Sequence, residues 1–407
     1  MSRPTFGVKS TIYADASQPT AKPMTRPFTL RFLLTFVAAL WLVAVAPAFA
    51  ALKEGARLAA IYDTILHARF DQAEQELART CPPAPIEACN TLKVVAVWWR
   101  ILLDPDSRAF DQRLQQLTNS SIAAAEAWTK REPRSAEAWF YLAGSYAPLS
   151  QWQAVRGERL AAVRSGLRIK SALDRVVALD PDLHDAYFGI GMYHYWADVA
   201  PLGAKLLRLL LLLPGGDRKQ GLQEMLDARA KGVLLSGEAD FQLHWLYLWF
   251  EEKPVEALTL VQSLDARYPS NPIFLQRIAE IEHEYRHDHR ASAAAWQQLL
   301  TRAQRGQVQE PSLAEMRARL GLAGEWLELS EPQRAIDTLT VVIAAGATSP
   351  YGASAAAQLN LGRAYDQLGQ RSRATTAYNA AIKNAPRDDP AHVREQARAA
   401  IRKQPRA

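Results

Sequence analysis

From residue 52 onward, apolar residues recur three and four positions apart, and no stretch sustains the strict alternation of a strand. These helix-type runs come in pairs separated by short turns. The clearest pair spans residues 355–386, AAAQLNLGRAYDQLGQRSRATTAYNAAIKNAP. In it Leu361, Gly362 and Tyr365 belong to a first helix, and Ala374, Tyr378 and Ala381 to a second. Gly362 and Ala374 are small where two antiparallel helices approach closely, while Tyr365 and Tyr378 fill the space between them. Gly369 permits the intervening turn, and Pro386 stops the second helix.

The same spacing recurs with more drift. Leu322, Ala323, Trp326, Ala335 and Leu339 repeat it one unit earlier, and Ala257 to Pro269 shows the second-helix interval before Leu275, Ile278 and Ala279 open another unit. Trp139, Leu142, Ala143 and Tyr146 mark a further first helix. Asp180-Pro181 ends a helix before Tyr187, Ile190 and Gly191, and Leu58, Ala59 and Tyr62 form a degenerate first unit. About seven pairs account for most of residues 52–400, enough to stack a continuous core.

Leu361, Gly362, Tyr365, Gly369, Ala374, Tyr378, Ala381 and Pro386 occupy the positions that define a tetratricopeptide unit of about 34 residues. The chain resembles that superfamily over most of residues 52–388. The resemblance implies an all-α, right-handed α-solenoid of stacked helix pairs. Its inner groove, lined by first helices, would hold a protein or peptide partner, without catalysis and without a cofactor. Asn360, Arg363 and Asp366 are polar, lie off the core stripe of the clearest first helix, and are the groove candidates there.

One segment departs from the pattern. Residues 195–237 contain the run Leu206–Leu213, LLRLLLLL, too short and interrupted to span a bilayer. It is followed by Pro214-Gly215-Gly216 and by Asp217, well placed as an N-cap. The expected layout is a signal over 1–50, degenerate repeats over 51–194, an irregular insertion over 195–237, repeats over 238–390, and a polar capping helix and tail over 391–407.

The first 50 residues read differently. A basic stretch precedes the apolar run Phe32–Ala46, then Pro47 and Ala48-Phe49-Ala50, the pattern of a secretory signal cut before Ala51. A start at Met24 gives a signal of ordinary length. The alternative is an uncleaved inner-membrane anchor on the same scaffold; otherwise membrane contact would be peripheral. The formal charge of +6 owes much to this leader, since removing its five bases and one acid leaves 43 basic against 41 acidic residues. Nucleic-acid binding is therefore not expected. Export, most simply to a periplasm, makes a disulfide the expected fate of the two cysteines, Cys81 and Cys89.

One catalytic-looking string exists, His283-Glu284-Tyr285-Arg286-His287, a literal H-E-x-x-H. It is the basis of an alternative reading as a zinc hydrolase. Against it stand its charged interior, the lack of a third ligand in a following helix, and a register that puts His287 in a turn. No catalytic or metal residue is assigned. The eleven Trp and thirteen Tyr fall mostly at repeat spacing, as core wedges. Tyr193, Tyr195 and Trp196, with Trp245, Tyr247 and Trp249, exceed what one helix face buries. Of these, Tyr193, Tyr195, Trp196, Trp245 and Trp249 are partner-binding candidates.

Overall fold

The computed structural model describes residues 52–200 and 215–403. The signal expected over 1–50, with its cut before Ala51, and the run Leu206–Leu213 lie outside the described residues. Among those described there are seventeen helices and no strand. In chain order they are α1 (Gly55–Leu66), α2 (Phe70–Thr80), α3 (Ile86–Leu103), α4 (Asp111–Arg131), α5 (Ala136–Val155) and α6 (Arg159–Leu179). Next come α7 (Asp185–Val199), α8 (Arg218–Lys231), α9 (Ser236–Trp249), α10 (Pro254–Arg267), α11 (Pro272–Glu284) and α12 (His289–Gln304). The array finishes with α13 (Pro311–Glu328), α14 (Pro332–Ala344), α15 (Ala353–Gln367), α16 (Arg371–Asn384) and α17 (Val393–Arg402).

Local chemistry sets these boundaries. Pro254, Pro272, Pro311 and Pro332 open their helices at the first turn, where the missing N–H costs nothing. Side-chain caps fix others: Ser135 accepts from the Ala138 N–H, Asn271 from Ile273 and Asp288 from Ala291. Asp217 caps α8 by accepting from the Gln220 N–H at 2.9 Å, as its position suggested. Between α15 and α16, Gly369 adopts the left-handed φ of 72° that the turn requires.

Each helix packs chiefly on its neighbours in sequence, giving eight pairs and a capping helix, the tetratricopeptide-type solenoid that the repeat positions imply. In the α15/α16 pair, a Cβ on Gly362 would stand 2.4 Å from Cε1 of Tyr378, so only glycine lets the ring seat there. The α7/α8 pair is closer still. Gly191 and Gly221 face each other so tightly that a Cβ on either would meet the other's carbonyl oxygen at 2.5 Å. Gly216 lies against His194 and Gly232 against Asp185, so the two helices run antiparallel. Within 195–237, α8 is thus a regular second helix packed on α7.

The solenoid also folds back on itself. Trp99 of α3 is fully buried, its ring 4.7 Å from Phe241 of α9 and 6.1 Å from Phe274 of α11. Its indole N–H and the Tyr62 hydroxyl both donate to the buried Glu238 carboxylate, at 3.1 and 3.0 Å. Tyr268 donates to Asp63, and the Asn271 amide donates to the Leu66 carbonyl. Further along, Arg317 of α13 pairs with Asp104 at 3.0 Å, and Asp104 accepts from the Tyr351 N–H. The inner faces of α9 and α11 are therefore covered by α1 and α3. Among the described residues, the inner face lies open further toward the C-terminus, on α13, α15 and α17.

Candidate partner-binding groove

The open part of the inner face is a groove of about 930 Å³ formed mainly by α13, α15 and α17, with His283 from the end of α11. Asn360, Arg363 and Asp366 all line it. Three residues apart on α15, they run along one side of the helix, beside the stripe that buries Leu359 and Gly362. Glu328, Gln367, Gln396 and Lys403 add to the groove's polar lining.

Arg363 is held by two neutral acceptors, Oδ1 of Asn360 at 2.9 Å and Oε1 of Gln396 at 2.6 Å, so no carboxylate offsets its charge in those bonds. Asp366 is already engaged. Arg371 donates to both its oxygens at 2.9 Å, and the Tyr378 hydroxyl donates at 2.8 Å. Burial, reinforced by that hydrogen bond, holds the Tyr378 phenol well above its usual range, so it stays a donor. Arg371 also donates to the carbonyls of Ala400 and Ile401 at the end of α17. This tethers the capping helix to the groove floor and complements its C-terminal dipole. With Asp366 neutralised by Arg371, the remaining charges are Arg363 and Lys403 against Glu328, a groove that leans positive.

The aromatic candidates do not line this groove. Tyr195 is buried, its hydroxyl donating to Glu251 at 2.6 Å beneath Arg218, which itself pairs with Glu251. It is a core residue joining α7 to α9 and not a surface contact. Tyr193 lies under the Lys170 ammonium at 5.2 Å. Trp245 stacks on Trp249 at 4.6 Å with Arg277 over its ring, and Trp196 packs edge-on against Phe250. Trp249 and Trp196 are the exposed members, at 51% and 39%.

No protein-family model matches the sequence, and comparison with curated proteins gives no match. Among solved structures, the chain aligns with the APC/C hetero-tetramer Cut9–Hcn1 at 13% identity and a TM-score of 0.47, over 90% of this chain and 59% of that one. Yeast Tom70 aligns at 14% identity and a TM-score of 0.41, over 76% of this chain and 64% of that one. The structure of Naa15/Naa10 bound to HypK-THB aligns at 15% identity and a TM-score of 0.32, over 91% and 56%. The chain spans less than two thirds of each of these proteins. The assignment of the fold rests on the repeat geometry of the chain itself, with Gly362 against Tyr378 at its centre.

The H-E-x-x-H string does not form the single helix its chemistry needs. Helix α11 ends at Glu284, and His287 takes a left-handed φ of 53° in the following turn. His283 and His287 therefore share no helix face, and Glu284 and His287 are solvent-exposed. Residues that sequence reasoning passed over are His283 as a groove residue, Gln396 and Lys403 from the capping helix, and Glu325. The last had a signal: an acid at helical spacing from Leu322 on the buried stripe of α13 demands a partner.

Cys81 and Cys89 form a disulfide closing the short loop between α2 and α3.

Proposed function

We propose that the protein is an exported, non-enzymatic scaffold that binds an extended segment of a protein partner in the α13–α15–α17 groove. Envelope assembly or secretion is the setting. The observation that carries this reading is the groove itself: about 930 Å³, open, and lined on one helix face by Asn360, Arg363 and Asp366. Pre-organised amides and a guanidinium without a carboxylate partner are suited to backbone carbonyls and carboxylates of a bound segment. The basic and apolar leader ending in Ala48-Phe49-Ala50 supports export, as does a disulfide in a chain with no other cysteine. Intact mass of the purified protein tests the leader: a mature N-terminus at Ala51 agrees with export and cleavage, and a retained leader agrees with an anchored form of the scaffold.

The groove is tested by co-isolation from the cell envelope with a double variant, Asn360→Ala with Arg363→Glu. Both side chains lie at the groove surface and off the core, so the fold should survive, which circular dichroism checks. The expected result is loss of a stoichiometric partner that the wild-type protein retains. Retention of the same partner at the same yield would place recognition elsewhere, and the exposed Trp196 and Trp249 would be the next surface to vary.

A further inference from the structure

Glu325 of α13 is only 4% exposed, and it is flanked by two histidines that reach it from two other helices. His283 Nδ1, from the last turn of α11, lies 2.9 Å from Oε1, and His289 Nδ1, from the first turn of α12, lies 3.0 Å from Oε2. The two imidazoles meet edge to face with centroids 5.0 Å apart. Ser292 donates to Oε1 at 2.9 Å and fixes the carboxylate rotamer from behind. His289 makes an ordinary hydrogen bond to the carboxylate, but His283 does not. Its Nδ1 is buried and close to Oε1 but makes no hydrogen bond to it, leaving a shielded ring nitrogen without a hydrogen-bond partner. Such an atom is uncommon in a folded interior and asks for an explanation.

We infer that His283, His289 and Glu325 form a binding site for a divalent transition-metal ion, zinc by its ligand set, at the wall of the groove. Two imidazoles and a carboxylate are a donor set zinc takes, at about 2.0–2.2 Å from each ligand. In tetrahedral geometry this puts ligands about 3.4 Å apart. That lies between the 2.9 Å of the His283–Glu325 contact and the 4.8 Å within which all three donor atoms fall. The ion relieves both anomalies: it gives the orphaned His283 nitrogen a partner and neutralises a carboxylate that burial isolates from water. The Ser292 hydroxyl is then the outer hydrogen bond that orients a ligating carboxylate. Three ligands from three helices would clamp α11, α12 and α13 together. They would also leave a fourth position for water or for a donor from the occupant of the groove, which His283 lines. This site is not the H-E-x-x-H string: it uses His283 but neither Glu284 nor His287.

The test is titration of the chelator-stripped full chain with ZnCl2 by calorimetry, and with Co(II) by visible absorption, in the absence of any partner. The readout is therefore independent of whether the groove binds a peptide. Expected are one saturable zinc per chain, tetrahedral Co(II) bands, and a loss of affinity of roughly 100-fold or more in His283→Ala and in His289→Ala, since even outer partners of metal ligands are typically worth 10–100-fold. Both histidines are partly exposed, so these variants should fold even where the buried Glu325→Gln does not. His287→Ala should bind as the wild type does. Absence of saturable binding, unchanged affinity in His283→Ala and His289→Ala, or loss of binding in His287→Ala would each overturn the assignment.

Discussion

Two glycines on neighbouring first helices show how position alone sets the role of a residue. A Cβ at Gly362 would enter the Tyr378 ring, whereas one at Gly324 would meet nothing within 4 Å. Gly362→Val is expected to cost about 2–3 kcal/mol through overpacking of the helix pair. Gly324→Ala is expected to stabilise by about 0.5–1 kcal/mol, the helix-propensity gain of an open site. Denaturant midpoints at constant slope distinguish the two, and equal effects would contradict the packing described. His244 gives a pH-dependent counterpart. Burial, and then the charge of Arg277, push its pKa down to about 3. The unfolded chain binds the proton near pH 6.5 and the folded chain does not, so stability is lost as pH falls through the window from about 6.5 toward 3. By linkage, about 2 kcal/mol should disappear between pH 7 and pH 5. His244→Leu should flatten that component of the slope, and an unchanged slope would show that His244 is not held neutral.

At the scale of elements, a carboxylate of α7 closes the turn between α8 and α9. Buried Asp185 accepts from the N–H groups of Val233, Leu234 and Leu235 at 2.8–3.0 Å, serving the start of α9 from another helix. Asp185→Ala should cost about 2–4 kcal/mol, because three backbone donors, that of Leu234 buried, lose a charged acceptor; Asp185→Asn should cost less, and thermal unfolding of the two variants checks the order. The repeat positions from Leu361 to Pro386, the Asp217 cap and the cysteine pair were legible because each depends on residues close in sequence. The role of Asp185 was not, since it stands 48 residues from the first N–H it receives. Nor was the chemistry at Glu325, whose histidine partners lie 36 and 42 residues away on other helices. The surplus of aromatics on α7 and α9 was legible as a surplus, but Tyr195 proved to be core because Glu251 and Arg218 complete its polar end.

At the scale of the molecule, the decisive feature is closure of the N-terminal helices onto later units. Neither periodicity nor repeat register encodes it, because it depends on the accumulated rotation between pairs. Trp99 between Phe241 and Phe274 and the Glu238 hydrogen bonds cover the inner face of α9 and α11, and the Asp104–Arg317 pair carries the closure as far as the first half of α13. They leave the α13–α15–α17 stretch as the open concave surface, which is why Asn360, Arg363 and Asp366, and not the aromatic positions, carry the proposed recognition. The most direct test is site-specific photocrosslinking in intact cells. One probe replaces Gln367, which lines the groove beside the recognition residues, a second replaces Thr376 on the exposed face of α16, and a third replaces Trp249. The expected result is one discrete crosslinked partner from position 367 and none of that mass from 376 or 249. The same partner captured equally from 376, or captured only from 249, would contradict it.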